Sequence, residues 1–336
     1  MRIIAVANQK GGCGKTTTAI NLAYSLSIRG KKVLLVDCDP QAHATMGLKT
    51  KPSDLERSLY DVLTPKDGHK AGIESIIIPI NEDLHLAPSS IILSAVEQEL
   101  SGIEGREDRM QQALQGISDQ YAYCIIDCPP SVGLLCFNAL RASSEVIIPI
   151  DMSLFSLRGI AKLLELTMIL KEELGHSITA RALITMYDRR TKYSQRVLEK
   201  VREEFGGNAF NTIIRYNIRL RETVDYGLPV GLFDKRSNGH IDYEQLAEEI
   251  EGLGHAANAA RQEGAAPELT QDMLQKTERY IGSVTQQDAS EESQTDMEEF
   301  LAQSFKSCYP EMIQAMEFGA SGGSSEEESE LEEYQD

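Results

Sequence analysis

The chain has 336 residues, 41% of them apolar, enough to bury one large core or two modest ones. Its formal charge of -19 is uneven: residues 255–336 hold 4 basic and 19 acidic side chains, which leaves -4 for the first 254 residues. The acidity thus belongs to the tail and does not exclude a nucleic-acid surface on the body, while the lack of any long apolar run excludes a membrane-spanning helix.

The run Ile3-Ile4-Ala5-Val6-Ala7 predicts a buried strand, with no signal peptide before it, as expected of a cytoplasmic protein. It leads into Lys10-Gly11-Gly12-Cys13-Gly14-Lys15-Thr16-Thr17-Thr18 and then a helical pattern through Ala19, Leu22, Ala23 and Leu26. Strand, glycine loop and helix start form the context of a phosphate-binding loop. Glycines let the backbone turn tightly and approach a ligand, and the helix N-terminus adds partial positive charge. Lys10 through Thr17 are therefore the expected nucleotide-binding set, with Lys15 reaching the β- and γ-phosphates and the Thr16 hydroxyl on Mg²⁺. The usual spacing would put Gly at position 9; this chain has Gln9 there and a second lysine, Lys10, at the loop's start.

Lys32–Asp37 reads as a buried strand ending in Asp37-Cys38-Asp39-Pro40-Gln41. Carboxylates at such a strand end face the ligand crevice of an open α/β sheet, and one near the γ-phosphate can position water for in-line attack. The same pair also suits a helix cap. Residues 50–83 read as a variable excursion with a short helix on Leu59, Val62 and Leu63. Leu84–Ser90 is a strand, with His85 a strand residue of no chemistry, running into a helix through Ile92 to Leu100. A polar helix over about 106–117 follows. Tyr121–Asp127 is an apolar strand ending in Asp127, which would hold Mg²⁺ through water. Glu145–Ile150 and Ile178–Tyr187 are further strands around a helix over about 156–174, its apolar side including Leu163, Leu164, Ile169 and Leu170. This alternation predicts an α/β fold, a mostly parallel sheet sandwiched by helices. Five of the six cysteines fall in or beside core elements and read as reduced thiols; Cys124 and Cys128 have loose metal-like spacing, but Cys124 lies inside a strand. Residues 181–221 carry ten basic and four acidic side chains, a local +6, which charge alone reads as a solvated face.

Three strings, K-G-G-x-G-K-T at 10–16, D-x-D-P-Q at 37–41 and I-I-D-C-P-P-S at 125–131, resemble the deviant Walker A ATPases of the ParA/MinD family. Thr185-Met186-Tyr187-Asp188-Arg189-Arg190-Thr191 and Asn217-Ile218-Arg219-Leu220 resemble the chromosomal ParA/Soj type. The resemblance covers about residues 1–252. It implies a P-loop ATPase fold, ATP and Mg²⁺ as cofactors, and hydrolysis that is slow unless a ParB-like partner stimulates it. It makes Lys10, Lys15 and Asp39 the catalytic set: Lys10 reaches across a homodimer to the partner subunit's nucleotide, and Asp39 orients or activates the attacking water. Thr16 and Asp127 would be the metal residues, and Pro129 and Pro130 would shape the second switch. Arg189, Arg190, Arg219 and Arg221 would bind DNA non-specifically once ATP has made the dimer, placing the protein on the nucleoid. One departure stands out. The family often has Pro-Arg before the Asn, the proline lying near the adenine; this chain has Arg215-Tyr216, so Arg215 either reaches the nucleotide or adds to the DNA face.

The ATPase domain is thus expected over 1–254, a variable, partly helical extension over 255–319 and a disordered acidic tail over 320–336. Within the extension, 267–281 suits a helix and 297–316 holds two apolar clusters. The tail suits an appendage for an unknown partner, an acidic strip that competes with DNA, or a solubilising extension. Its acidity argues against a basic membrane-targeting helix. The expected function is chromosome or plasmid partitioning. The alternatives are the same ATPase positioning a protein cargo on the nucleoid through its extension, and a nucleotide-gated regulator without DNA binding.

Overall fold

The computed structural model describes residues 1–64, 71–152 and 155–263. The expected helix at 267–281, the apolar clusters of 297–316, the acidic terminus and Cys308 lie outside the described residues.

In chain order the elements are β1 (Arg2–Val6), α1 (Lys15–Ser27), β2 (Val33–Asp37), α2 (His43–Met46), α3 (Leu59–Leu63), β3 (Ile78–Pro79), β4 (Leu84–Ala87), α4 (Val96–Glu99), α5 (Arg109–Gln115), β5 (Tyr123–Asp127), α6 (Leu134–Ala142), β6 (Glu145–Ile150), α7 (Phe155–Leu174), β7 (Thr179–Ile184), α8 (Lys192–Phe205), α9 (Ile218–Tyr226), α10 (Val230–Phe233) and α11 (Asn238–Glu263). The strands form one seven-stranded sheet in the order β3-β4-β2-β5-β1-β6-β7. All neighbours run parallel except β3, which is antiparallel to β4. A parallel sheet is covered by helices on both faces, so its strands must be apolar on both sides. That is why β2 and β5 are buried at every residue and read in sequence as continuous apolar runs. The main core lies between the sheet and α1 with α11, where Leu22, Leu26, Leu35, Ile125, Tyr243 and Leu246 pack together.

Register puts Val6 of β1 and Asp37 of β2 both opposite Asp127 or its ladder: Val6 pairs with Asp127, and so does Asp37. The carboxyl ends of the three central strands therefore finish level, and β1 sits between β5 and β6. Chain connections leave in opposite directions at that point, which opens a crevice beyond the strand ends.

Four expectations need correction. The helix expected from Ile92 to Leu100 is a 3₁₀ turn, Ile91–Ala95, followed by α4; Leu93, Val96 and Leu100 are buried but Ile91 and Ile92 face outward. The polar helix of 106–117 likewise splits into a 3₁₀ turn, Arg106–Asp108, and α5. The strand of 178–187 stops at Ile184, because Met186 adopts a left-handed φ of 55° that a ladder cannot accommodate. On α7, Ile160, Leu163, Leu164 and Leu170 are buried, whereas Ile169 is 45% exposed. The final helix runs from Asn238 to Glu263. Cys13, Cys38, Cys124, Cys128 and Cys136 are all buried free thiols.

Candidate functional site

The loop between β1 and α1 is built to leave backbone amides open. Gly12 and Gly14 have φ of 74° and 95°, a region side chains avoid. Gly14 is the N-cap of α1 and supplies no side-chain cap, and no acidic residue lies in the first turn. The first-turn N–H groups of a helix have no intrahelical partner, so this end favours an anion. The loop is braced from outside: Asn8 Nδ2 donates to Pro149 O (2.7 Å), Lys10 N to Asn8 Oδ1 (3.1 Å) and Thr185 Oγ1 to Cys13 O (2.8 Å). Lys15 is buried, with Nζ donating to Lys10 O at 2.9 Å. The Lys10 ammonium is ion-paired to Asp151, just beyond β6.

Three carboxylates meet at the level strand ends. Asp37 works as a brace: its Oδ2 accepts from Thr45 N and Thr45 Oγ1, both at 2.7 Å, and its Oδ1 from Asp39 N at 3.2 Å. Burial pushes its carboxyl up to about 6, against the pull of those hydrogen bonds. Asp39 accepts from Gln41 N at 2.9 Å and its carbonyl from Ser89 Oγ at 2.7 Å, which ties the loop after β2 to the end of β4. The helix-cap role thus falls chiefly to Asp37, which reaches the third residue of α2. Asp127 is fully buried, and neither of its oxygens has a hydrogen bond of proper geometry among the described residues. Burial and the charge of Asp37 push its carboxyl well above the usual range, although Thr16 and Lys15 lie near enough to favour the charged form.

An orphaned, buried carboxylate beside a threonine at a helix N-terminus fits a hydrated cation. Mg²⁺ keeps several waters and takes one or two protein groups plus phosphate oxygens, so Thr16 and Asp127 could hold it without a larger donor set. Among the described residues no cluster of three or more His, Cys, Asp or Glu side chains could cage a metal.

A cleft opens beside Gly14 and Thr17, walled by Thr185, Met186, Ile214, Arg215, Tyr216 and Asn217. Arg215 lines it, but its guanidinium is taken by Asp242, Nε to Oδ1 at 2.9 Å. Tyr187 and Arg215 form a backbone bridge, which sets the two arginine-bearing strings side by side. Arg190 pairs with Asp188 (2.6 Å) and Arg219 with Glu222 (2.8 Å) and Asp234 (3.5 Å), while the Arg221 guanidinium lies 5.5 Å from the Tyr216 ring centroid. Arg189 is exposed in the turn before α8.

Sequence reasoning missed Asp151 and Asp242, and it quoted Thr185 within a string without giving it the role of bracing the loop. Asp151 and Thr185 stand directly after strands β6 and β7, so the strand-end rule that selects Asp37 and Asp127 also reaches them.

Residues 1–180 match the family model described as an AAA domain. The chain is 41% identical over 255 residues to the sporulation initiation inhibitor protein Soj of Bacillus subtilis (strain 168), covering 75% of this chain and 99% of that one. It is 40% identical over 254 residues to the chromosome-partitioning ATPase Soj of Treponema pallidum (strain Nichols), covering 74% and 96%. The solved structure of cobyrinic acid a,c-diamide synthase from Mycobacterium smegmatis with bound ADP and magnesium is similar at a TM-score of 0.65 and 30% identity, covering 80% of this chain and 99% of that one. These matches leave about a quarter of this chain without a counterpart in the two Soj proteins.

Proposed function

The chain belongs to the Soj/ParA family of chromosome-partitioning ATPases, and on that premise we propose that it is a Mg²⁺-dependent ATPase switch that binds DNA non-specifically as a nucleotide-closed homodimer. The observation that carries this reading is the pairing of an uncapped α1 N-terminus behind left-handed Gly12 and Gly14 with the orphaned carboxylate of Asp127. One half suits polyphosphate and the other its cation.

In this reading the amides from Gly11 to Thr17 and the Lys15 ammonium hold the phosphates. Thr16 and Asp127 would hold Mg²⁺, which would supply charge neutralisation to the phosphates. Asp39, fixed by Gln41 and Ser89, orients the water for in-line attack. Lys10 leaves Asp151 and engages the nucleotide of a second copy. Arg189, Arg190, Arg219 and Arg221 contact DNA phosphates, and a ParB-like partner raises the hydrolysis rate. The protein then works in the cytoplasm on the nucleoid, moving a chromosomal or plasmid locus.

The test is binding of the full chain to duplex DNA of arbitrary sequence with ATP, with ADP and without nucleotide, at low and moderate salt. Salt-sensitive binding that appears with ATP alone supports the switch. DNA binding equal in all three states removes nucleotide control from the reading, and no binding in any state reduces it to a protein-gating ATPase.

A further inference from the structure

Arg215 stands where the cleft, α9 and α11 meet. The segment 214–217 forms one wall of the cleft beside Gly14 and Thr17. On the sheet side it is held by Ile214 N to Ile184 O (2.9 Å), Tyr187 N to Ile214 O (3.1 Å) and Tyr216 N to Tyr187 O (2.9 Å). The strand it pairs with ends at Ile184, just before the left-handed Met186. On the other side it is held by Asp242 of α11. One carboxylate oxygen of Asp242 accepts from Arg215 N at 2.9 Å, and the guanidinium adds Nε and Nη2 contacts to the same carboxylate. Asp242 is 2% exposed at its side chain and Arg215 is 42% exposed, so the acid is the anchor and the arginine the lever. The next residue on α11, Tyr243, has its hydroxyl 3.1 Å from Thr18 Oγ1 on α1. The phosphate-loop helix, α11 and the cleft wall are therefore joined by Thr18–Tyr243 and Asp242–Arg215 in succession.

On the reading of the site given above, we propose that Arg215 and Asp242 are a positioning pair for ATP, fixing the wall that receives the base. The guanidinium is engaged by a buried carboxylate in a charge-assisted, directional pair. What the pair fixes is the place of Tyr216 and Asn217. Asn217 Oδ1 accepts from Arg219 N at 2.8 Å and so starts α9, which makes the same pair set the origin of the helix that bears Arg219 and Arg221. A proline here would fix φ and carry no amide; this chain holds the position instead by an ion pair and an amide bond to Asp242.

The experiment is steady-state ATPase kinetics together with titration of a fluorescent ATP analogue on the full chain, for wild type, Arg215→Ala, Asp242→Ala, Asp242→Asn and the double variant Arg215→Pro/Asp242→Ala. When chemistry is slow, KM reports nucleotide dissociation. Arg215→Ala and Asp242→Ala are expected to raise KM about tenfold, equivalent to about 1.4 kcal/mol, with kcat unchanged. Asp242→Asn keeps an acceptor for the Arg215 amide and is expected to shift KM less. The proline double variant removes the orphaned amide and is expected to return KM toward wild type, which a mere loss of stability would not do. Wild-type KM in both alanine variants, with ATP bound normally by the wild type, overturns the pair's role and leaves the ATPase reading standing. No ATP binding by the wild type overturns both.

Discussion

Lys10 begins the loop with its ammonium already engaged by Asp151 of its own chain. A lysine that serves a second copy's nucleotide must exchange one anion for another, the Asp151 carboxylate for phosphate. Lys10→Ala is therefore expected to give a folded monomer that no longer dimerises with ATP, read by light scattering; ATP-dependent dimers of this variant would end the cross-subunit role. Asp39 is separated in function from Asp37 by its partners. Asp37 spends its oxygens on Thr45 and the Asp39 amide, whereas the contact of Asp39 with Gln41 N shapes only its own turn. Asp39→Ala is expected to lower ATP turnover at least about 100-fold, the usual weight of a group that directs proton transfer, while ATP binding persists. Turnover at the wild-type rate would take Asp39 out of the chemistry.

The elements are tied at the opposite, amino end of the sheet by Glu145. It bonds Arg2 of β1 (Nη2 to Oε2, 2.8 Å) and approaches Arg181 of β7 (3.4 Å), and Arg2 also donates to Ile250 O of α11. Burial pushes the Glu145 carboxyl up, but the hydrogen bonds and charge of Arg2, with the charge of Arg181, outweigh it and hold it below its ordinary value. A depressed carboxyl stabilises the fold above pH 4.5 and loses that contribution as pH falls through its folded value. Glu145→Gln is expected to cost about 1.5–3 kcal/mol near neutral pH, with the difference from wild type shrinking below that window in urea melts. A gap that stays constant down to the acid limit would mean the charge contributes nothing. The elements themselves were largely legible: β1, β2, β5 and β6 are apolar runs because helices cover both faces, and the glycine loop follows its strand directly. Two-residue β3 carried no period to read, and Ile92-Leu93 looked helical although the turn buries only the second of them. The site residues close in sequence to a strand end were visible. Their partners were not, because Asp151 lies 141 residues from Lys10 and Asp242 lies 27 from Arg215, distances that only the folded sheet closes.

Across the whole molecule, charge decides whether a protein of net -19 can hold DNA. Charges beyond about 8 Å are largely screened at physiological salt, so the local +6 of residues 181–221, rather than the net charge, sets the field at a contact there. The bridge between Tyr187 and Arg215 joins the turn bearing Arg189 and Arg190 to the start of α9, which carries Arg219 and Arg221. Their present partners, Asp188, Glu222 and Asp234, are exposed or half-buried acids that a phosphate can displace at little cost. Two copies would then offer eight arginines, and a plot of log affinity against log salt should have a slope of about -7. Arg189→Glu combined with Arg219→Glu withdraws half of these and adds repulsion, so the slope should fall below about half and affinity at moderate salt should drop more than 100-fold, measured by fluorescence anisotropy with ATP present. Because neither side chain touches the loop, Asp39 or Asp127, ATP affinity should stay at the wild-type value in the same preparation. Unchanged slope with unchanged affinity would place the DNA surface elsewhere on the body, whereas loss of ATP binding alongside DNA binding would show that the α9 arginines act through the nucleotide cleft rather than on phosphate.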